Sequence, residues 1–297
     1  MTSHAAIVAI IVTYHPDIAS LERLVESLGR QVGRVLVVDN GSPDARARLA
    51  PVTADVLYLD DNHGVATAQN RGLARAAEQG AEYALLMDQD SRPAPDMVPR
   101  LTAALERLQG RGEAVAAVGP EYGDARVDHR SPFHRMRGLR LERPSCDEAD
   151  GLVEVDHLTA SGCLIPLAVL AQVGPMDDAL FIDYVDVEWG LRARHAGYGL
   201  YGVCGAHMSH PLGGAPINFL GRRFVSHAPF RNYYYFRNAL LLMRRGYVPW
   251  NWKLVEARRL VLRLALYMAA APGRLRHLRM IGMGVAHGVL RRSGPLK

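Results

Sequence analysis

The stretch Tyr83-Ala84-Leu85-Leu86-Met87-Asp88-Gln89-Asp90-Ser91 decides the fold, because an apolar run of strand length stops at an acidic turn. Short apolar runs between turn signals are typical of buried strands. Side chains alternate along an extended segment, so Asp88 and Asp90 are expected to lie on the same side and to converge on one hard cation. A solvated acidic turn would have the same sequence, and the Asp-x-Asp pattern alone does not decide between the two.

Strand-like and helical patterns alternate on both sides of this stretch. Strands are expected at residues 7–12, 35–38, 56–59, 83–87 and 115–118, and helices at 18–28, 45–50, 65–79 and 95–108. This alternation predicts an α/β fold of Rossmann-like type, in which helices sandwich a mostly parallel sheet. Ligands of such sheets bind beyond the carboxyl ends of the strands. The polar segments 13–17, 39–42 and 88–91 are all expected at that edge.

The second half of the chain is less regular. Residues 119–150 are rich in Arg, His, Pro and Gly and are predicted to be a long excursion that borders part of the functional site. Strand-like composition returns at 153–165 and at 198–203, and a helix is expected at 186–196 with Gly197 as its stop signal. Further helices are predicted at 231–245, 253–271 and 274–290.

The charge of the chain is divided unevenly. Residues 1–188 hold 17 basic and 29 acidic residues, a net charge of −12, whereas residues 189–297 hold 18 basic residues and one acidic residue, Glu256, a net charge of +17. A cationic surface of this kind suits nucleic acid, anionic lipid headgroups or a phosphorylated substrate. We expect no nucleic-acid partner, because the sequence has no zinc-finger spacing, basic zipper or RNA-recognition motif.

Cysteine usage and the N-terminus favour a cytoplasmic protein. Cys146, Cys163 and Cys204 show neither a zinc spacing nor a disulfide framework of secreted type, and the N-terminus lacks the basic start of a signal peptide. Residues 254–271 are apolar enough to suggest a membrane span. Four charged residues lie inside this segment, however, and each would cost about 2.5 to 3.5 kcal/mol near a bilayer centre.

We therefore predict that the helix over 253–271 packs on its own domain or lies in a membrane interface. Glu256, Arg259 and Arg263 form a narrow polar stripe on it and leave a wide apolar face. The basic C-terminal third keeps open a peripheral contact with the anionic inner face of the plasma membrane.

Two further segments carry candidate binding groups. Asp39 follows a strand and precedes Asn40-Gly41-Ser42, so its carboxylate either accepts from a nucleobase imide N–H or caps a plain Asx turn. Residues 62–72 lead into a helix whose first N–H groups, together with Arg71, could meet a diphosphate. Arg71 could equally be a solvated helix residue.

In order, these segments resemble the family 2 inverting glycosyltransferases of GT-A fold. The resemblance rests on Ile11-Val12-Thr13-Tyr14, Val37-Val38-Asp39-Asn40-Gly41-Ser42, Asn62-His63-Gly64 through Asn70-Arg71-Gly72, and Leu86-Met87-Asp88-Gln89-Asp90-Ser91. It covers roughly residues 5–245, and within the family it is strongest toward bacterial rhamnosyltransferases that use a dTDP-linked sugar. It implies a nucleotide-sugar donor, with dTDP-rhamnose favoured, and Mg²⁺ or Mn²⁺ as cofactor.

The resemblance also implies residue roles and a domain plan. The nucleotide-sugar site would comprise Thr13, Tyr14, Asp39, Asn40, Gly64, Asn70, Arg71, Asp88 and Gln89, and the metal ligands would be Asp88, Asp90 and His210. Residues 1–245 would form the GT-A domain, with a donor half at 1–120 and an acceptor half at 121–245. A basic, amphipathic helical region would follow at 246–297. The acceptor would be a bacterial surface glycan or its lipid-linked precursor.

The segment Phe181-Ile182-Asp183-Tyr184-Val185-Asp186-Val187-Glu188-Trp189-Gly190-Leu191-Arg192 resembles the family segment that carries the catalytic base. Asp186 aligns with that base. The commoner Glu-Asp pair is interrupted here by Val185, so Asp183 competes for the role. The same acidic cluster could instead cap the helix that begins near Asp186.

Other functions are compatible with parts of the sequence. A glycosyltransferase with a UDP-sugar donor fits the same motifs. A sugar nucleotidyltransferase would need a Gly-rich basic loop after the first strand, and residues 13–17 contain neither Gly nor Lys. A non-enzymatic polyanion-binding protein would use only the basic C-terminal third.

Overall fold

The computed structural model describes residues 4–124, 129–131, 133–144, 146, 151–209, 217–219, 222–224 and 226–296. After a 3-10 turn at His4–Ala6, the strands are β1 (Ile7–Thr13), β2 (Arg34–Asp39), β3 (Asp55–Tyr58), β4 (Tyr83–Asp88), β5 (Arg92–Pro93), β6 (Val115–Asp124), β7 (His129–Ser131), β8 (Arg135–Arg137), β9 (Arg140–Glu142), β10 (Leu152–Val155), β11 (Cys163–Pro166), β12 (Gly199–Ser209), β13 (Ile217–Phe219) and β14 (Arg222–Phe224).

The helices alternate with the strands in the first half and follow one another at the end. They are α1 (Ile18–Gly29), α2 (Ala45–Arg48), α3 (Val65–Glu78), α4 (Met97–Gly110), α5 (Leu167–Val173), α6 (Val185–His195), α7 (Pro229–Met243), α8 (Trp250–Ala270) and α9 (Arg274–Val289), with a second 3-10 turn at Asp178–Leu180. The expected helices are therefore present, with ends displaced by a few residues.

The main sheet is mixed but mostly parallel. Its order is β10-β12-β6-β11-β4-β1-β2-β3, with β5 paired to β12 and β7 paired to β6. Strand β1 runs parallel to β2 and β4, β2 runs parallel to β3, and β12 runs parallel to β6. Strand β11 is antiparallel to both β4 and β6, so it joins two parallel groups that point the same way. The carboxyl ends of both groups therefore meet at one edge.

Alternation along the strands sends side chains to two cores. Ile7, Ala9 and Ile11 pack with α1 and α4 on one face of the sheet. Val8 and Ile10 pack on the other face with α3, α6, α7 and α8. Both cores are buried because each face of the sheet is covered by helices, as parallel sheets require. The predicted α/β sandwich is confirmed.

The C-terminal helices share the second core. Val248, Trp252, Leu260 and Ile281 belong to the same buried cluster as the sheet residues. Helices α7 and α9 cross so closely that a Cβ on Gly284 would lie 2.4 Å from the Tyr233 carbonyl oxygen. Residues 246–297 differ from the rest in charge, and the boundary after residue 245 stays a prediction. In packing, the described part of this region is continuous with the α/β body.

Three expectations differ from the structure. The strand-like run 153–165 is two strands, β10 and β11, joined by a loop that contains Ser161. Strand β12 extends to Ser209, well beyond the expected 198–203. Cys146 and Cys204 form a disulfide across 58 residues, while Cys163 is a buried free thiol. A disulfide is unusual in the reducing cytoplasm that the cysteine pattern had suggested.

Candidate active site

Polar residues gather at the carboxyl edge of the sheet through the strand register. Thr13 at the end of β1 is paired with Asp39 at the end of β2. Val12 is paired on the other side with Asp88, the last residue of β4. Because β1 is the central strand of the three, the loops that follow it, β2 and β4 leave the sheet side by side. The segments expected to form the site are therefore brought together.

Asp39 organises the first two of these loops. Its Oδ2 accepts hydrogen bonds from the Thr13 hydroxyl (3.0 Å) and the Ser42 hydroxyl (2.7 Å), and its Oδ1 accepts from the Ser42 N–H (2.8 Å). The side chain is fully buried. Asp39 thus makes an Asx turn and also fixes β1 to β2. Its predicted hydrogen bond to a nucleobase stays a prediction.

The Gln89 side chain clamps the loop after β1. Its Oε1 accepts from the Tyr14 N–H (2.8 Å), and its Nε2 donates to the Tyr14 carbonyl (3.2 Å). This pair of bonds holds the Tyr14 backbone in one position while leaving the ring 42% exposed at the sheet edge. An exposed aromatic ring held in this way is a ready surface for stacking a nucleobase.

The acidic sequence after β4 is a tight turn. The Ser91 N–H donates to the Asp88 carbonyl (3.2 Å), so residues 88–91 are not the extended segment from which convergence of the two carboxylates was argued. The Ser161 hydroxyl supports the turn, accepting from the Asp88 N–H (3.0 Å) and lying 2.7 Å from the Ser91 hydroxyl. Asp88 is half-buried and Asp90 is exposed.

Asp88 and Asp90 are chemically suited to a divalent cation. Mg²⁺ is commonly held by one or two protein carboxylates, with substrate phosphates completing the coordination. Within the described ranges, no group of three His, Cys, Asp or Glu side chains is placed to hold a metal ion unaided. A metal bound here would therefore need ligands from a donor or from residues such as His210, which lies outside the described residues.

Asp186 is the most perturbed carboxyl group at this edge. It stands in the first turn of α6 and lines a small, mostly apolar cavity with Leu86, Cys163 and Trp189. Burial raises its pKa to about 6, and the negative charges of Asp88 and Asp183 push the pKa in the same direction. A carboxylate with a pKa close to neutral is a capable general base.

Asp183 is engaged differently. Both of its oxygens accept from the Arg231 guanidinium, Nε at 3.2 Å and Nη2 in a shorter bond. A bidentate ion pair occupies both oxygens of the carboxylate. The charges of Asp183, Asp88 and Asp186 raise the pKa of Arg231, which places one guanidinium among three carboxylates. Of the two candidates for the base, the geometry favours Asp186.

The loop at residues 181–184, which leads into α6, is strained and tightly held. Phe181, Asp183 and Tyr184 all have φ near +65°, a conformation that costs non-glycine residues about 1 to 3 kcal/mol each. The Asn238 side-chain amide donates to the carbonyls of residues 180, 182 and 183, at 2.8 to 2.9 Å. The adjacent Arg237, which is fully buried, donates to the carbonyls of residues 179, 180 and 294.

Helix α8 holds the same loop from the other side. The Tyr184 hydroxyl donates to Glu256 Oε1 at 2.5 Å, and the Tyr235 hydroxyl donates to the same oxygen at 3.2 Å. Arg259 pairs with the other oxygen at 3.0 Å. Glu256, the only acidic residue of the basic C-terminal third, is buried and acts as a support for the loop that carries Asp183 and Tyr184.

The start of α3 docks against this loop. The Val65 N–H donates to the Phe181 carbonyl (2.7 Å), and a Cβ on Gly64 would lie 2.6 Å from that oxygen. Asn40 accepts from the His63 N–H (3.0 Å), and Asn62 accepts from the Gly64 N–H (3.0 Å). These N–H groups were expected to meet a diphosphate. The structure shows the N–H groups of residues 63, 64 and 65 bonded within the protein, and the contact of the helix start with a diphosphate stays a prediction.

Asn70 and Arg71 make other contacts in this structure. The Asn70 amide exchanges hydrogen bonds with the backbone of Met176 and donates to Asp178 (2.7 Å), so it fixes the chain before the 181–184 loop. Arg71 is exposed and lines a groove beside β3 with residues such as Asp55 and Leu57. Their predicted contact with the nucleotide sugar stays a prediction.

Several residues that build the site were not predicted from the sequence. No role in the site was predicted for Arg231, Asn238 or Tyr184, and Glu256 was predicted only to lie on the polar stripe of the helix over 253–271. Their contacts span 48 to 72 residues of sequence, which no local pattern reveals. Cys163 is excluded as a nucleophile, because burial and the charge of Asp186 raise the pKa of its thiol far above neutral.

Comparisons with known proteins agree with this architecture. The family profile described as Glycosyl transferase family 2 matches residues 8–160. A protein described as dTDP-rhamnosyl transferase RfbF, from Shigella flexneri, is 34% identical over 247 residues, 82% of this chain and 81% of that protein.

Two solved structures show the same fold at low identity. S. aureus TarS 1–349 in complex with UDP-GlcNAc is 14% identical with a TM-score of 0.57, over 96% of this chain and 81% of that one. GalNAc-T7 with UDP, GalNAc and Mn²⁺ is 12% identical with a TM-score of 0.56, over 85% of this chain and 54% of that one. The expected GT-A fold is confirmed, and the chain, a glycosyltransferase, belongs to glycosyl transferase family 2.

Proposed function

We propose that the protein is an inverting, metal-dependent rhamnosyltransferase. It would move L-rhamnose from dTDP-L-rhamnose to a hydroxyl of a bacterial surface glycan or of its lipid-linked precursor. The observation that carries the reaction type is the position and environment of Asp186, a carboxylate with a pKa of about 6 beside Asp88 at the sheet edge. The name of the 34% identical relative supports the sugar and the nucleotide.

Inversion needs a base on the opposite side of the sugar from the leaving diphosphate. Asp186 would take the proton from the acceptor hydroxyl as the oxygen attacks the anomeric carbon in line with the departing oxygen. Asp183 would stay paired with Arg231, and the guanidinium would stabilise negative charge that develops on the diphosphate. No covalent link between sugar and protein is required.

The metal part of the proposal rests on charge. Asp88, Asp183 and Asp186 lie close enough together for their charges to act on one another and on Arg231, and grouped carboxylates favour a divalent cation. Asp88 and Asp90 would hold Mg²⁺ or Mn²⁺, which neutralises the leaving group when bound. His210 stays a predicted third ligand.

The donor nucleoside would lie over the loops after β1 and β2. The exposed Tyr14 ring would stack on the base, while Thr13, Asp39 and Gln89 keep that loop in place. A UDP-sugar donor would use the same surface. The UDP complexes of the solved structures show the fold alone at 12 to 14% identity, so they give no reason to prefer UDP.

A peripheral position at the anionic inner face of the membrane is part of the proposal. Nine of the twelve large apolar side chains exposed within the described residues lie on or directly after α8 and α9: Trp250, Leu254, Val261, Leu262, Leu275, Leu278, Val285, Val289 and Leu290. We call this set the outer face. Arg258, Arg274, Arg276 and Arg279 are exposed on the same two helices, a pairing typical of interfacial helices. Across the described residues, no helix has the length and apolarity needed for a membrane span.

Calorimetry with a panel of nucleotide sugars tests the proposal. Wild-type protein should bind dTDP-rhamnose with Mn²⁺ and lose that binding in chelator, while UDP- and GDP-sugars bind more weakly. Asp90→Ala should lose the metal-dependent part, and Asp96→Ala provides a matched control because Asp96 is a surface carboxylate paired with Arg100. The anomeric configuration of the product, read by NMR, tests inversion.

Each outcome has a clear meaning. Metal-dependent binding of a UDP-sugar instead of dTDP-rhamnose would replace the donor and keep the reaction type. Equal binding with and without chelator would refute the metal role of Asp90. Absence of binding to every nucleotide sugar, together with salt-dependent binding to polyanions, would refute the enzymatic proposal.

A further inference from the structure

The disulfide between Cys146 and Cys204 takes no part in the proposed reaction. Cys204 is buried in β12, whereas Cys146 is partly exposed and is the more accessible of the two to a small thiol. The proposed position at the inner face of the membrane places the protein in a reducing compartment. Disulfides that occur in such a compartment are usually transient and are often redox-sensing. Permanent stabilisation therefore does not account for this disulfide.

The disulfide lies where the pairing between β12 and β6 is interrupted. Val203 and His207 pair with consecutive residues of β6, so residues 204–206 bulge out of the ladder. A bulge leaves its extra residues without ladder hydrogen bonds, so other contacts decide how firmly it is held. The Cys204 N–H donates to the Gly151 carbonyl (3.0 Å), and the disulfide adds a covalent link at this first residue of the bulge.

Residues 207–209, which form the end of β12, support the acidic turn at residues 88–91. Two of them pair with the two residues of β5, the strand that directly follows the turn, and the first of their carbonyls accepts from the Ala94 N–H (3.0 Å). The Met208 sulfur lies 3.8 Å from the hydroxyl of Ser161, which accepts from the first N–H of the turn. The position of the turn therefore depends on the end of β12.

The other cysteine belongs to the excursion between β7 and β10. The excursion is attached to the sheet at β8, where the Met136 N–H donates to Asp156 (2.5 Å) and Arg135 pairs with Glu154 (2.7 Å). Cys146 comes after β9 and packs against the second core. If the disulfide opens, the excursion keeps its attachment at β8, whereas the bulge of β12 loses its covalent link.

We infer that Cys146 and Cys204 form a thiol–disulfide exchange site that sets the affinity for the donor and its metal, an inference that rests on the proposed function. The co-reactant would be a low-molecular-mass thiol such as glutathione. Its thiolate attacks Cys146 Sγ, the S–S bond breaks, and Cys204 Sγ leaves as a thiolate that takes up a proton. A second thiolate then attacks the sulfur of the bound small thiol and releases Cys146. Two small thiols thus become one disulfide, and the protein disulfide becomes two thiols.

The form with the closed disulfide is the tightly binding form. In this form the bulge is held on both sides, and the end of β12 keeps the turn with Asp88 and Asp90 in one position. Reduction loosens the bulge and therefore the support of the turn. We expect the affinity for dTDP with Mn²⁺ to fall about threefold to tenfold on reduction, within the range known for coupling through packed elements.

A glutathione titration of the full-length protein tests the exchange. The protein is equilibrated at stepped ratios of reduced to oxidised glutathione, unfolded, alkylated and weighed by mass spectrometry. Cys163 is the free thiol of the oxidised protein, so one cysteine should be alkylated at oxidising ratios and all three at reducing ratios. The small thiols are then removed under oxygen-free conditions, and calorimetry measures dTDP binding with Mn²⁺ for both forms.

Cys146→Ser is the matched control, because it cannot form the disulfide. It should bind dTDP with Mn²⁺ as weakly as the reduced wild-type protein, and its affinity should be the same at every glutathione ratio. Amide hydrogen exchange provides a measurement that needs no ligand and no variant. Exchange at residues 88–91 and 205–209 should be faster in the reduced wild-type protein, whereas exchange in β2 should be unchanged.

A cysteine pair that stays oxidised, or stays reduced, at every glutathione ratio would overturn the inference. Equal affinity of the two forms for dTDP with Mn²⁺ would also overturn it, and the proposed transferase would stand. A protein that binds no nucleotide in either form would refute the proposed function instead. Hydrogen exchange would then decide on the exchange site, because equal exchange at residues 88–91 in the two forms would show that the disulfide does not support the turn.

Discussion

Replacing Asp186 by asparagine should abolish sugar transfer and at the same time make the protein more stable. The pKa of Asp186 is raised from 3.8 to about 6, and each unit corresponds to about 1.4 kcal/mol between the two protonation states. The ionised carboxylate therefore destabilises the folded protein by about 3 kcal/mol at pH 7. Asparagine has the shape of the protonated acid and avoids this cost.

The sign of the effect depends on pH. The folded state keeps the Asp186 proton up to about pH 6, whereas the unfolded chain releases it near 3.8. The contribution of Asp186 to stability is thus complete below pH 4 and is lost as the pH rises to 6. The difference in unfolding free energy between Asp186→Asn and wild type should grow from near zero at pH 4 to about 3 kcal/mol at pH 7.

Urea denaturation of both proteins in chelator, at several values between pH 4 and 7.5, measures this difference. Comparing the two proteins at each pH cancels the titration of all other groups. Wild-type kcat should rise across pH 6 as the base loses its proton, while Asp186→Asn keeps donor binding without transfer. A stability difference that does not change with pH would refute the buried-carboxylate reasoning. Wild-type transfer by Asp186→Asn would move the base to Asp183.

Two further variants test how the 181–184 loop is supported. Glu256→Gln should lower the free energy of unfolding by about 1.5 to 3 kcal/mol and reduce kcat, since the Tyr184 hydroxyl and two other donors lose a charged acceptor. Urea denaturation measures the stability and initial rates measure kcat. A variant with wild-type stability and kcat would contradict the support role of Glu256. Gly64→Ala should disrupt the loop, because the new Cβ would lie 2.6 Å from the Phe181 carbonyl oxygen. Gly80→Ala is the control, since Gly80 has a similar positive φ and open space around it. Equal thermal stability of the two variants would show that backbone strain alone is involved.

Local patterns in the sequence were sufficient to predict the sheet and most helices. The strands β1, β2 and β4 are continuous apolar runs because both faces of each strand are covered, and the polar residues at their ends mark the edge where a ligand can bind. Helix α6 was also placed within one residue at each end. These features depend on neighbours in sequence, which is why the sequence predicts them.

The rest depends on contacts that no local pattern encodes. Asp183 meets Arg231 across 48 residues, and Asn70 meets Asp178 across 108. The family resemblance implied that Asn70 contacts the ligand, whereas its hydrogen bond to Asp178 could not be predicted from neighbouring residues. Residues 88–90 were likewise expected to be extended. The hydrogen bond that closes the turn, from the Ser91 N–H to the Asp88 carbonyl, involves only backbone atoms and therefore leaves no mark in the sequence.

The residues that follow α9 have a consequence for handling the protein. The Gly294 carbonyl accepts from buried Arg237, and the Leu296 N–H donates to the Tyr234 hydroxyl (2.8 Å), whose ring stacks on Phe181 at 5.1 Å between centroids. Shortening the chain before residue 294, or fusing a tag there, would loosen a loop that is distant in sequence and adjacent in space. Such a protein would fold and bind donor yet transfer sugar slowly, and its low activity would be mistaken for a wrong substrate.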